Sequence, residues 1–135
     1  MKTVLHNNHN NSKARIRKLQ HECEQWRKRL DGLSQENINL KNLLSGALNE
    51  GSSDARFLDA AEEYLNQFIH RDEVIGLLRY DMVALEKLLK NAINETTNQH
   101  RIFEQRGRKM RRELHMLEAT YIPLKDQFNN FLGRA

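Results

Sequence analysis

DARFLDAAEEYLNQFIHRDEVIGLLRYDMVALEKLLKNAI, residues 54–93, is the stretch that decides the fold. Phe57, Ala61, Tyr64, Phe68, Ile75, Leu78, Met82, Leu85, Leu89 and Ala92 recur at steps of three and four, interrupted only at Arg71. That spacing lines one face of an α-helix. Leu58, Leu65, Ile69, Leu77, Leu88 and Ile93 flank the stripe and widen it. A face so wide suits burial against two neighbours, which places this helix at the centre of a bundle.

The same period continues on both sides. Upstream it runs through Ile16, Leu19, Cys23, Trp26, Leu30, Leu33, Asn37, Leu40, Leu44 and Ala47; downstream through Phe103, Gly107, Met110, Leu114, Leu117, Tyr121, Leu124, Phe128 and Phe131. Asn49-Glu50-Gly51-Ser52-Ser53 is a turn: Gly51 can take left-handed backbone angles, a serine can cap the next helix, and Asp54 meets the positive end of its dipole. Thr96 to Gln99 has capping-box spacing and marks a second reversal. Ser12 suits an N-cap, and Pro123 should kink the last helix or end it near Ile122. Asp31-Gly32 is turn-like, but the stripe keeps phase across it, and one glycine in a long helix costs only about 1 kcal/mol relative to alanine.

Helices are therefore expected over about 12–48, 54–93 and 97–134 in one domain, 12–135, behind a flexible tail, residues 1–11, whose Asn/His-rich sequence has little to bury. The expected fold is all-α, an elongated antiparallel three-helix bundle. Two variants compete with it. Arg71 on the stripe, followed by Asp72 as a new N-cap, would break the central helix and give a four-helix bundle; alternatively, a second copy would complete a dimeric helical bundle. Asn37 either fixes register through a buried partner or marks a wet layer. If the turns centre near Gly51 and Glu95, Trp26 faces Gly76 and Gly107 faces Ala84.

Composition agrees with this class: 30% charged and 39% hydrophobic residues, one proline and six glycines in 135 residues. No apolar run approaches the ~20 residues of a membrane span, so no membrane association is expected. The first eleven residues lack the apolar centre of a signal peptide, which makes the cytoplasm the expected location. Cys23, the single cysteine, excludes an internal disulfide and reads as a small buried hydrophobe.

Three histidines have a carboxylate three residues on, His21 with Glu24, His70 with Glu73 and His115 with Glu118, but each pair falls off the apolar stripes. Inward-facing bundle metal sites use the opposite order, Glu-x-x-His. No phosphate loop or nucleophile motif is present, so no catalytic residue, metal, cofactor or small-molecule substrate is expected.

The net charge of +4 is unevenly spread. Residues 1–30 carry eight Lys/Arg against two Asp/Glu, residues 31–100 six against twelve, and residues 101–135 eight against four. An acidic middle helix between two basic ones favours their association. Arg15, Arg17, Lys18, Arg27, Lys28 and Arg29, with Arg106, Arg108, Lys109, Arg111 and Arg112, occupy the first halves of the outer helices, which share one end of an antiparallel bundle. They form a candidate surface for an anionic partner, nucleic acid included. Phe128, Phe131 and Leu132, beyond Pro123, form a candidate apolar partner surface. The function expected from these features is a non-enzymatic structural or protein-interaction module, acting through a protein partner or self-association, with nucleic-acid binding as the alternative.

Overall fold

The computed structural model describes residues 2–50, 54–93 and 100–134, with side chains described from Asn11 to Gly133 within that set. The chain forms α1 (Lys2–Asn49), α2 (Ala55–Ala92) and α3 (His100–Arg134), with no strand among the described residues. Arg27 bonds Glu86, Arg79 bonds Asp31, and Asn37 bonds Asp72, so α1 and α2 run antiparallel. Phe57 stacks on Phe131 and Phe68 meets Phe128 edge to face, so α2 and α3 are antiparallel too. The architecture is an all-α antiparallel three-helix bundle.

The stripes form the core. Trp26, Leu30, Leu78, Met82, Leu85, Leu89 and Leu114 are all buried in one cluster, which extends from Ile16 on α1 to Leu117 on α3. A second cluster gathers Leu40, Leu44, Ala61, Phe68, Leu124 and Phe128. Each large side chain so buried contributes roughly 1.5–3 kcal/mol. Between the two clusters lies a polar layer. Asn37 is 1% exposed and Arg71 6% exposed, the two polar residues on the buried stripes.

Arg71 does not break α2, and the four-helix alternative is excluded. Its guanidinium crosses to α3, where Nη1 donates to the Leu117 carbonyl at 3.3 Å and to Thr120 Oγ1 at 2.9 Å. A polar stripe residue is tolerated where the neighbouring helix offers an acceptor. Asp72, expected as a cap, instead accepts from Asn37 Nδ2 and Lys41 Nζ, both at 2.5 Å, and ties α2 to α1.

Three other boundaries differ from the sequence expectation. α1 starts at Lys2, because residues 2–11 contain no glycine or proline and asparagine costs a growing helix only tenths of a kcal/mol. Ser12 thus lies inside α1, within 2.8 Å of His100 Nε2, rather than capping it. α2 is capped by Asp54, whose side chain accepts from the Arg56 amide at 3.1 Å. α3 passes through Pro123 to Arg134: proline forfeits one backbone bond, and the cluster around Leu124 and Phe128 on its far side holds the helix together. The serines of the first turn and the Thr96–Gln99 box lie outside the described residues.

The expected glycine pairings do not form. A Cβ on Gly76 would meet nothing within 4 Å, whereas one on Gly107 would come 3.1 Å from Leu19 Cδ1 of α1. Gly107 therefore allows close approach of α3 to α1. Gly32 also faces open space. Replacing Gly32 or Gly76 by alanine should raise the unfolding free energy by about 0.5–1 kcal/mol each, read as a higher urea midpoint at unchanged slope; Gly107→Ala should gain less, because Leu19 must move.

Candidate functional site

The eleven cations expected to form an anion-binding surface divide into two groups. Three heptad-spaced positions on α1 meet three on α3 at a constant separation of 89 residues. Arg15 Nη1 lies 3.6 Å from Glu104, Glu22 accepts from Arg111 Nε and Nη2 at 2.6 and 2.7 Å, and Glu118 accepts from Arg29 Nε at 3.0 Å and from its Nη2. The order Arg, Glu, Arg on α1 faces Glu, Arg, Glu on α3. Arg27 is likewise tied to Glu86, and Arg108 and Lys109 lie within 4 Å of Glu104 and Glu113. Arg17, Lys18, Lys28, Arg106 and Arg112 form no ion pair with the described residues and are exposed. Much of the basic character is thus spent on joining helices.

Between α1 and α3, Arg29, Arg108, Arg111, Arg112 and His115 line an open groove of about 500 Å³, although three of the arginines are paired with carboxylates. Arg111 also lies over the Trp26 ring, 6.0 Å from its centroid. Trp26 itself is 2% exposed and cannot offer a face for stacking.

The apolar surface expected at Phe128, Phe131 and Leu132 is not free, and that expectation is corrected. Phe128 is fully buried against Phe68 at 5.1 Å and Tyr64 at 5.3 Å. Phe131, half-buried, stacks on Phe57 at 5.1 Å, and Leu132 packs against the same cluster. Pro123 did not end the helix, so these residues stayed in phase with the core stripe.

Exposed large apolar residues occur on all three helices, Ile38, Leu43 and Leu48 on α1 and Ile102, Met116 and Ile122 on α3, but those on α2 are grouped. Leu58, Leu65, Ile69, Tyr80 and Val83 are each at least 36% exposed. With Gly76 they fall within a sector of roughly 60° on a 3.6-residue helix, turned away from the core stripe. Leu58, Leu65, Ile69 and Leu77 were expected to widen the buried face; two neighbouring helices cover only part of it, and Leu77 is exposed outside this sector. No protein-family model, curated protein or solved structure matches the chain. The assignment of a role therefore rests on the surfaces themselves.

A third feature lies between α2 and α3, where a groove of about 690 Å³ has apolar walls formed by Val74, Met116, Leu117 and Leu124 and includes Arg71. Arg71 Nη1 is bonded as described, but Nε and Nη2 are buried without a partner among the described residues. Its guanidinium lies over Tyr121, 5.5 Å from the ring centroid. Burial pushes the Arg71 pKa down and the Tyr121 pKa up. Sequence periodicity marked Arg71 only as a possible break; the missed signal is a cation on a core stripe with no carboxylate at i±3 or i±4 on the same face.

Among the described residues no group of three or more His, Cys, Asp and Glu is arranged to hold a metal ion. His21–Glu24 and His70–Glu73 approach only to 4.0 Å and are exposed, while Glu118 is engaged by Arg29. Burial pushes the Cys23 thiol up to about 12, with Glu86 and Glu22 adding to the effect, so its thiolate is scarce. No helix among the described residues is long and apolar enough to cross a membrane.

The ladder has a pH signature. Hydrogen bonds from Arg111 and Arg29 hold the Glu22 and Glu118 carboxyls below the usual carboxylate range, against the opposing effect of burial. Their stabilisation is complete above that range and is lost as pH falls through the lowered pKa values. Urea unfolding between about pH 6 and about pH 3 should show wild-type stability declining with acid. Glu22→Gln/Glu118→Gln should be weaker by about 0.2–1 kcal/mol per pair at the upper pH and show a shallower decline.

Proposed function

We propose that this chain is a non-enzymatic structural or protein–protein interaction module built from long amphipathic helices, with the outer face of α2 as its contact surface. Support comes from the second apolar stripe, Leu58, Leu65, Ile69, Tyr80 and Val83, on a helix whose other face is already in the core. A helix apolar on two faces is a helix with two sets of neighbours. Exposed apolar side chains grouped on one sector of a helix mark an association surface, and a partner helix laid along them would bury residues at i, i+4, i+7 spacing. A cytoplasmic location goes with this reading, given the single unpaired Cys23.

A second copy is the first partner to test. Light scattering coupled to size exclusion, at low and at high salt, should give a dimer that survives high salt, because apolar contacts are not screened. Leu65→Glu/Ile69→Glu should shift it to monomer without loss of helical signal, since both side chains are exposed. A wild-type monomer under both conditions would remove self-association from the reading.

The alternative, a nucleic-acid-binding helical protein, is supported by the five-residue basic groove between α1 and α3. It predicts binding to a generic duplex that falls steeply with salt and is lost in Arg108→Glu/Arg112→Glu. Arg112 makes no ion pair with the described residues and Arg108 only a loose one with Glu104, so this variant leaves the Glu22–Arg111 and Arg29–Glu118 pairs intact. No detectable wild-type binding at low salt would eliminate this alternative.

A further inference from the structure

The outer face of α2 has an order as well as a composition. Five exposed residues at a strict seven-residue spacing, Glu62, Ile69, Gly76, Val83 and Lys90, follow one line along the helix. Each comes directly after a buried residue of the core stripe, from Ala61 to Leu89, so the line keeps a constant angle to the core. Outward from Gly76 that line is self-complementary. Seven residues away stand Ile69 and Val83, both apolar, and fourteen away stand Glu62 and Lys90, of opposite charge. Neither Glu62 nor Lys90 forms an ion pair with the described residues.

An antiparallel copy of α2, related by a two-fold axis beside Gly76, brings Ile69 against Val83 and Glu62 against Lys90, each twice. The same register sets Leu65 beside the aliphatic stem of Lys87, since the two lie eleven residues from Gly76 on opposite sides. Other arrangements lose this match. A parallel copy in register sets Glu62 against Glu62 and Lys90 against Lys90. An antiparallel slide of one heptad sets Glu62 against Val83 or Lys90 against Ile69, leaving a charge on an apolar side chain. Gly76 is the small residue that such an axis needs. A Cβ there meets nothing within 4 Å of its own chain. Nothing inside the bundle calls for glycine in the middle of a 38-residue helix, where it weakens the element, whereas a second backbone can approach it closely.

We propose that the outer face of α2 binds a second copy of this chain, antiparallel about a two-fold axis at Gly76, with Ile69 against Val83 and Glu62 paired with Lys90 at both ends. This arrangement rests on the outer face of α2 being a contact surface, and gives that face its occupant and its register. Apolar side chains supply the affinity, and the charge pairs select direction and register. Glu62 and Lys90 are separated by about 42 Å of helix, so the contact spans most of α2.

Introduced cysteines in the full chain test direction and register; Cys23 is buried and takes no part. Under mild oxidation Gly76→Cys should give a covalent dimer on a non-reducing gel, because a residue beside the axis meets its own copy within disulfide reach. Glu62→Cys alone and Lys90→Cys alone should run as monomers, while their equimolar mixture should cross-link. Cross-linking of Glu62→Cys alone to the extent of the mixture would indicate a parallel pair and overturn the proposal. Charge reversal gives an independent readout that disturbs no buried group. Glu62→Lys should raise the dimer dissociation constant roughly tenfold at low salt, since two pairs turn repulsive at once, and Glu62→Lys/Lys90→Glu should recover it. No recovery in the double variant would overturn the register. A dimer dissolved by Leu65→Glu/Ile69→Glu but not cross-linked through Gly76→Cys would keep the outer face as a contact surface and overturn this arrangement. A wild-type monomer at high concentration would also overturn it and leave the face to a foreign protein. A dimer that persists in Leu65→Glu/Ile69→Glu would overturn both the arrangement and the face.

Discussion

The bundle depends on two side chains that each hydrogen-bond a backbone carbonyl of the next helix. Asn37 of α1 donates to the Phe68 carbonyl of α2 at 2.7 Å, and Arg71 of α2 donates to the Leu117 carbonyl of α3. Apolar stripes alone do not choose an axial position, because a slide by one heptad again faces leucine with leucine. Carbonyls inside a helix are already engaged, so a side chain reaches one only at a specific height. A slide would leave a buried amide and a buried guanidinium against apolar neighbours, and an uncompensated buried charge costs about 3–5 kcal/mol. Register is therefore set in the polar layer and carried outward by the two hydrophobic clusters it separates.

The ladder between α1 and α3 fixes the same register by a different force. Because Arg15, Glu22 and Arg29 alternate in sign along one helix, and Glu104, Arg111 and Glu118 along the other, a one-heptad slip would put Arg15 beside Arg111 and Glu22 beside Glu118. Each exposed pair stabilises the correct register little. The difference between attraction and repulsion across several rungs is larger than any single rung, and it acts as discrimination more than as stability. Gly107 permits the close approach that brings these side chains within reach.

Fold class was legible because period is a local property. The Trp26, Met82 and Leu114 stripes required no knowledge of partners, and the reading through Gly32 followed from the phase of Leu30 and Leu33. Misreadings arose where the deciding atom was distant in sequence. Arg71 resembled a break because its acceptors, Leu117 and Thr120, lie 46 and 49 residues away. Ser12 and Asp72 resembled caps because their side chains suit caps, yet both bond across helices. Phe128 and Phe131 appeared stranded beyond Pro123 only if the proline ended its helix. The 89-residue ladder was present in the sequence as two heptad-spaced runs of alternating sign, visible once both are aligned in parallel. The α2–α3 groove had no sequence signal, since it depends on how closely two helices approach.

Arg71 poses an energetic question that register alone does not answer. Replacing a buried ionic group by a well-packed apolar one is often neutral or stabilising, and Asn37 with the charge ladder already sets the height of the helices. Thr120 and the Leu117 carbonyl need only one nitrogen of the guanidinium, but a lysine ammonium is more strongly hydrated and would cost more to bury. What arginine supplies is a planar, weakly hydrated cation that can lie over an aromatic face while one nitrogen donates to a backbone carbonyl. Nη1 anchors the group to α3, its plane lies over the Tyr121 ring at 5.5 Å, and the charge of Glu36 on α1 opposes the effect of burial. A residue costly to bury is thereby engaged by both neighbouring helices, through a carbonyl, a hydroxyl and a ring on α3 and through the charge of Glu36 on α1.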